Sequence, residues 1–337
     1  MARKRGWTRV GARRHFRYLD GRGKRITDSA KLERIQELAI PPAWKEVWIS
    51  PSPTAKLQAT GIDAAGRRQY LYHEDYRAAQ AEAKFDKLVR FADALPSFRE
   101  AMAQHMRLEP APPDWTCAVA VLLINLGWFR VGDDRYTQAH KTFGITTLRK
   151  GHVKVRGSRI TFRFRAKHQV CVRTAIVDSE LAEAMRELLD TPGRRLFRYR
   201  LQGELFDLTA RRLNEYIAEF MGEEFTAKDF RTWGGTLIAA IAFAERPSAE
   251  SETEAKRTVA AVMKTVGERL GNTPAVARVS YVSPAVVEQY LDGRTIDDFR
   301  PRHLRVVRAR ETGLNPEEQG LVSLLRSWRI RRARKAA

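Results

Sequence analysis

The chain has 337 residues, 43% of them apolar, which is enough to bury a real core and excludes a disordered basic tail. Its 61 Lys and Arg against 40 Asp and Glu give a formal charge of +21, a field that attracts polyanions, of which duplex DNA is the densest common one. Only Cys117 and Cys171 are present, each in an apolar stretch of sequence, which excludes a disulfide framework and a four-thiolate zinc site and points to a reducing compartment. An RNA-binding or ribosomal protein would show the same basic excess, and an anionic membrane surface would attract it as well. The longest apolar run, residues 117–124, is too short to span a bilayer. No apolar leader follows the basic start Met1–Trp7. The expected location is therefore the cytoplasm, at the nucleoid, with no membrane association.

Residues 1–25 are basic and aromatic without a helical period. Asp28–Leu38 reads as a short helix, stopped by Pro41-Pro42. Three β-like segments follow, at 47–49, 57–59 and 69–72, the last two separated by a hairpin-like turn at 63–66. Helical periods begin near Tyr76. Tyr76–Ala92 reads as a charged amphipathic helix joining two domains, with interruptions at Pro96 and at Pro110, Pro112 and Pro113. Asp114 is placed to cap a buried helix running through Leu126.

A strand-rich island comes next, over 152–155, 160–164 and 170–173, with a Gly157-Ser158 turn. Helices are predicted over 179–189, 210–220 and 227–243. Ser251 and Glu254 form a capping box for a helix ending at Leu270. Thr273-Pro274 and Ser283-Pro284 each begin a short helix. The tail Arg329–Lys335 reads as a solvated basic extension. The predicted class is α+β: a small, mostly β domain at 1–75, a linker helix at 76–92, and a larger, mainly helical domain at 93–337 containing a three-stranded β region.

Cleaving a phosphodiester without metal or water requires a nucleophile, cations on the non-bridging oxygens and a proton for the leaving oxygen. Tyrosine serves as the nucleophile, and its ester conserves the bond energy for rejoining. Arginine suits the phosphate because its planar fork grips two oxygens and keeps its charge. The C-terminal segment Leu270-Gly271-Asn272-Thr273 followed by Tyr281 meets this requirement. Upstream stand Leu126-Gly127-Trp128-Phe129-Arg130-Val131-Gly132 with Tyr136, the hairpin sequence Phe164-Arg165-Ala166-Lys167, and Lys228-Asp229-Phe230-Arg231-Thr232-Trp233-Gly234.

Four motifs in this order make the chain resemble the poxvirus-like and bacterial type IB DNA topoisomerases and, more loosely, the tyrosine recombinases. The resemblance covers about residues 45–292, including Leu57–Gly61 and Gly66–Tyr70 of the small domain. It implies a C-shaped clamp around duplex DNA, a monomer, and relaxation of supercoils through a 3′-phosphotyrosyl intermediate. It also implies that no cofactor, metal, ATP or small-molecule substrate takes part. Tyr281 would attack; Lys167, assisted by Arg130, would protonate the leaving oxygen; Arg130 and Arg231 would clamp the phosphate. Asn272 stands where the family usually has His. Its amide can donate a hydrogen bond to a phosphate oxygen but cannot move a proton. Gln69, Tyr70, Tyr72, Gly132, Tyr136 and Lys228 would face DNA.

Each residue alone has an ordinary alternative. Tyr281 could pack, Arg130 could cap a helix end, Lys167 could be a solvated turn residue, Arg231 a helix-surface charge and Asn272 a helix stop signal. Gln69, Tyr70, Tyr72 and Tyr136 could equally be structural, the β-hairpin aromatics serving in cross-strand packing. The competing functions are a tyrosine recombinase, which normally begins with a helical domain, and a non-catalytic DNA-binding protein.

Overall fold

A computed structural model describes residues 6–11, 15–64, 66–299 and 312–336. The chain divides into two units, Met1–Lys84 and Phe85–Ala337.

In the first unit, short β-branched and aromatic runs pair into an antiparallel sheet of order β2-β1-β3-β4-β5. Its strands are β1 (Trp7–Val10), β2 (Arg17–Leu19), β3 (Lys45–Ile49), β4 (Leu57–Ile62) and β5 (Arg68–Tyr72). Strands β1 and β2 were not expected, because their cations mask a short alternation that buries Trp7 alone. Helix α1 (Ser29–Glu37) starts as predicted: the Asp28 carboxylate accepts from the Lys31 N–H. It buries Ile35 against Trp7, Val47, Ile49 and Ala59. The turn at 63–66 closes the β4–β5 hairpin through Asp63, which accepts from the backbone N–H and side chain of Arg67.

Helix α2 (Glu74–His105) is longer than predicted, because Pro96 does not interrupt it. An interior proline costs about 3 kcal/mol. Phe91, Leu95 and Phe98, on both sides of it, are fully buried, and burying each such side chain contributes about 1.5–3 kcal/mol. Packing therefore outweighs the break. Helix α3 (Pro113–Gly127) begins with Pro112 at its N-cap, not Asp114, which lies in the first turn and pairs with Arg212 at 2.8 Å. This helix is apolar all round and forms the centre of the second unit.

After the small exposed helix α4 (Asp134–His140), β6 (Val153–Arg156), β7 (Arg159–Arg165) and β8 (Cys171–Val177) form the expected antiparallel sheet. Ile160, Phe162 and Phe164 alternate into the core while Thr161 and Arg163 between them face outward. Cys171 is exposed on β8, whereas Cys117 is buried; the apolar neighbours of Cys171 in sequence do not surround it in space.

Helices α5 (Ser179–Asp190), α6 (Ala210–Met221) and α7 (Ala227–Ala244) agree with their periods, and a hairpin of β9 (Arg198–Leu201) and β10 (Glu204–Asp207) was unforeseen. Ser251 caps α8 (Glu252–Leu270), but the Glu254 carboxylate accepts from the Glu250 N–H rather than returning to Ser251. Short helices α9 (Pro274–Ser280) and α10 (Pro284–Leu291) follow.

The basic tail is not a free extension: it belongs to α11 (Pro316–Ala336), which buries Leu321, Val322, Leu324 and Leu325. Its N-terminus is locked by buried Glu318, which takes two hydrogen bonds from Arg99 at 2.7 and 2.9 Å and one from Trp233 at 3.2 Å. Among the described residues no helix is long and apolar enough to cross a membrane.

Candidate active site

Helix α7 carries the most buried cation of the site. Arg231 is 5% exposed, near the helix start, where Thr226 and Asp229 cap each other. Its guanidinium donates to the Trp128 carbonyl and, at 2.8 Å, to the Leu270 carbonyl. Its Nε is buried and has no hydrogen-bond partner among the described residues. Trp128 presents its carbonyl because it ends α3 in the left-handed conformation, with φ of 48°.

Arg130, two residues on and half-buried, donates to the Gly271 carbonyl at 3.0 Å and to Asn272 Oδ1 at 2.7 Å. The end of α8 thus holds both arginines with its last carbonyls, the negative pole of that helix. Neither arginine has a carboxylate partner among the described residues. Burial and the neighbouring charge of Arg231 pull Arg130 down to about 10, so it stays protonated at neutral pH, and burial lowers Arg231 too. A buried cation without an anion is costly, and an arriving phosphate would relieve that cost.

Tyr281 does not lie within a helix; it is the residue that closes α9, with φ of −133°. Its ring centroid is 5.1 Å from the Arg231 guanidinium carbon. Its carbonyl accepts from Thr236 Oγ1 at 3.1 Å, and the same hydroxyl accepts from the Ser283 N–H at 3.2 Å. This approach depends on glycines: a Cβ on Gly235 would sit 2.9 Å from the Tyr281 Cβ, and one on Gly234 2.3 Å from the Trp128 ring. Burial raises the pKa of the phenol. The charges of Arg231, Arg130 and Lys228, with a hydrogen bond from Arg231, outweigh burial and bring it below the ordinary value.

Asn272 Oδ1 receives Arg130, and its Nδ2 donates to the Leu270 carbonyl at 3.3 Å. The amide therefore serves first to hold Arg130. Lys167 is exposed in the β7–β8 turn, with no hydrogen bond or ion pair among the described residues. The two residues after it, His168 and Gln169, both have left-handed backbones, with φ of 62° and 61°. Gln169 Nε2 ties the turn to the His140 carbonyl at 2.9 Å.

A cavity of about 410 Å³ is lined by Arg130, Arg231, Ala166, Val170 and Gly271, among others. Lys167, Asn272 and Tyr281 do not line it, although the neighbours of Lys167 and Asn272 do.

Gly132, with φ of 98°, follows Arg130 and packs on Gly144, where a Cβ would lie 2.4 Å from the Gly132 nitrogen. Tyr136 is 38% exposed on α4, and Lys228 is exposed in the first turn of α7. In the first unit, Tyr70 is 52% exposed and stacks on Tyr72 at 6.3 Å. Gln69 is turned to Asp63 at 2.8 Å. Sequence reasoning missed Trp128, Thr236 and Gln169. A signal existed for Thr236, a hydroxyl within the apolar run of α7, but none for the two others, whose contacts are tertiary.

The family described as eukaryotic DNA topoisomerase I, catalytic core, matches residues 73–296, and the bacterial DNA topoisomerase IB N-terminal domain matches residues 15–63. DNA topoisomerase 1B of Acanthamoeba polyphaga mimivirus is 32% identical over 267 residues, which cover 77% of this chain and 80% of that one. DNA topoisomerase 1B of Vaccinia virus (strain Copenhagen) is 23% identical, covering 80% of this chain and 85% of the viral one. DNA topoisomerase 1 of Rabbit fibroma virus (strain Kasza) is also 23% identical, over 73% and 76%.

Proposed function

Since the chain belongs to the type IB DNA topoisomerase family, we propose how its own residues carry out the family's reaction. The protein is an isomerase of DNA that relaxes supercoils by cutting and rejoining one strand. Tyr281 is the nucleophile. Its phenolic oxygen bonds to the scissile phosphorus as the bond to the 5′ oxygen breaks, leaving a 3′-phosphotyrosyl ester. The phenol proton goes to solvent, and Lys167 gives a proton to the 5′ oxygen, which leaves as a hydroxyl. Arg130 and Arg231 hold the non-bridging oxygens as charge builds on them. After the duplex swivels, the 5′ hydroxyl attacks phosphorus and gives its proton back to Lys167, while the Tyr281 phenolate leaves and regains its proton from solvent. Asn272 keeps Arg130 in place and moves no proton, so the leaving strand depends on Lys167.

The observation that carries this reading is the pair of cations, Arg130 and Arg231, held beside Tyr281 by carbonyls and without a carboxylate partner among the described residues. We assign DNA contact to residues 1–75, including Gln69, Tyr70 and Tyr72, a linker to 76–92 and catalysis to 93–337, where Gly132, Tyr136 and Lys228 also face the duplex. The enzyme acts as a monomer, at the nucleoid, without ATP or metal. The five-stranded sheet of the first unit favours this reading over a recombinase, which normally begins with helices.

Incubation with supercoiled plasmid in EDTA without ATP should give relaxed circles. A folded preparation that relaxes nothing, with Tyr281 intact, would sink the assignment.

A further inference from the structure

Residues 153–177 contain no carboxylate. Strand alternation sets Lys154 and Arg156 of β6, Arg159, Arg163 and Arg165 of β7, and Arg173 of β8 on one exposed face. The register places Arg163 directly opposite Arg173, and Arg156 opposite Arg159. Like charges facing each other across strands destabilise a sheet. None of the six has an ion pair among the described residues. A surface built against its own stability in this way needs an external polyanion.

Two features suggest which polyanion it is. Arg173 also lines the cavity that holds Arg130 and Arg231, so strand β8 joins this face to the proposed site of the reacting phosphate. From Arg159 to Arg165 the strand extends about 20 Å at ~3.3 Å per residue, as far as about six base pairs measured along the axis of a duplex.

We propose that the outer face of β6–β7–β8 docks the sugar–phosphate backbone of the duplex next to the cleavage point. The inference rests on the topoisomerase reading. Contacts of this kind position DNA without reading its sequence.

The test is equilibrium binding to duplex oligonucleotides of unrelated sequence across a salt series. An Arg156→Gln/Arg159→Gln/Arg163→Gln triple is compared with an Arg211→Gln/Lys256→Gln/Arg257→Gln triple, which removes exposed charge from α6 and α8. The sheet triple should make the slope of log affinity against log salt shallower by about 2 to 3, since each lost phosphate contact removes ~0.9. The loss should be equal on every sequence, and the helix triple should keep the wild-type slope. A third triple, with Lys at the three sheet positions, should restore the slope, because it keeps charge and changes shape.

A wild-type slope in the Gln sheet triple overturns the proposal. So does an equal change in both Gln triples, which would be a net-charge effect, or a lost slope in the Lys triple, which would make the residues structural. If wild type relaxes DNA while the sheet triple behaves as wild type, this inference alone fails. If wild type neither binds nor relaxes DNA, the functional reading fails and this inference falls with it.

Discussion

Helix α7 and the β7–β8 turn each carry one cation of the proposed reaction, and they hold it in opposite ways. Arg231 is buried, fixed by two carbonyls from distant segments, and beside a tyrosine whose backbone is tied to the same helix. Lys167 is exposed and has no ion pair or hydrogen bond among the described residues, on a turn whose next two residues are left-handed. Such conformations cost roughly 1–2 kcal/mol per residue, so the turn is held rather than relaxed, and Gln169 on His140 is one hold. The difference matches the two tasks. A charge that stabilises a transition state works best when it needs no reorganisation, whereas a proton donor must give its proton to the leaving oxygen in cleavage and take it back in rejoining. Removing the first should therefore cost both activity and fold, and removing the second activity alone.

Of the two cations, Lys167→Ala should have the larger effect on rate, slowing single-turnover cleavage by roughly 10²–10⁴ while leaving the melting temperature at the wild-type value. A substrate with sulfur in place of the 5′ leaving oxygen needs no proton and should restore that rate; no recovery would remove Lys167 from the acid role. Arg231→Lys should lower cleavage by about 10²–10³ and lower the melting temperature too, because one ammonium cannot bridge the Trp128 and Leu270 carbonyls. The sulfur substrate should not rescue it. An Arg231→Lys protein with wild-type stability would remove the contrast between the two regions.

Asn272→His should keep activity or raise it, since a ring nitrogen can accept from Arg130 as Oδ1 does while the other donates to a phosphate oxygen. A collapse would mean that an imidazole cannot replace the Oδ1 contact that holds Arg130. The smallest effect belongs to Lys228→Gln. The phenol of Tyr281 is held below its ordinary value partly by this charge, so its removal raises the pKa and moves the rising limb of the pH–cleavage profile to higher pH. Lys228 is exposed, and salt should shrink the shift. A limb that moves to lower pH would contradict the assignment of Tyr281 as the titrating nucleophile.

Legibility in the sequence followed burial. Strand β7 could be read because Ile160, Phe162 and Phe164 alternate strictly with polar residues, and α3 and α7 because their apolar faces are long. Helix α4 buries no residue, so it left no period to find. In β9 and β10 the charged residues conceal a hairpin whose turn is marked only by Gln202 and Gly203, both at positive φ. Helix α11 had a legible start, because Asn315 and Glu318 cap each other around Pro316; the basic composition beyond it obscured the buried leucines. The site was legible as an ordered set of motifs. What the order could not convey is that Arg130 and Arg231 are both held by the carbonyls at 270–271, since those contacts join residues 141 and 39 positions apart.

The most direct test is to trap the covalent complex on a nicked or suicide duplex, digest it and locate the attached nucleotide by mass spectrometry. The account predicts a single adduct, on the peptide containing Tyr281, joined through a 3′ phosphate and absent from Tyr281→Phe although that variant still binds DNA. An adduct on another residue, a 5′ phosphate linkage, or cleavage surviving in Tyr281→Phe would contradict it.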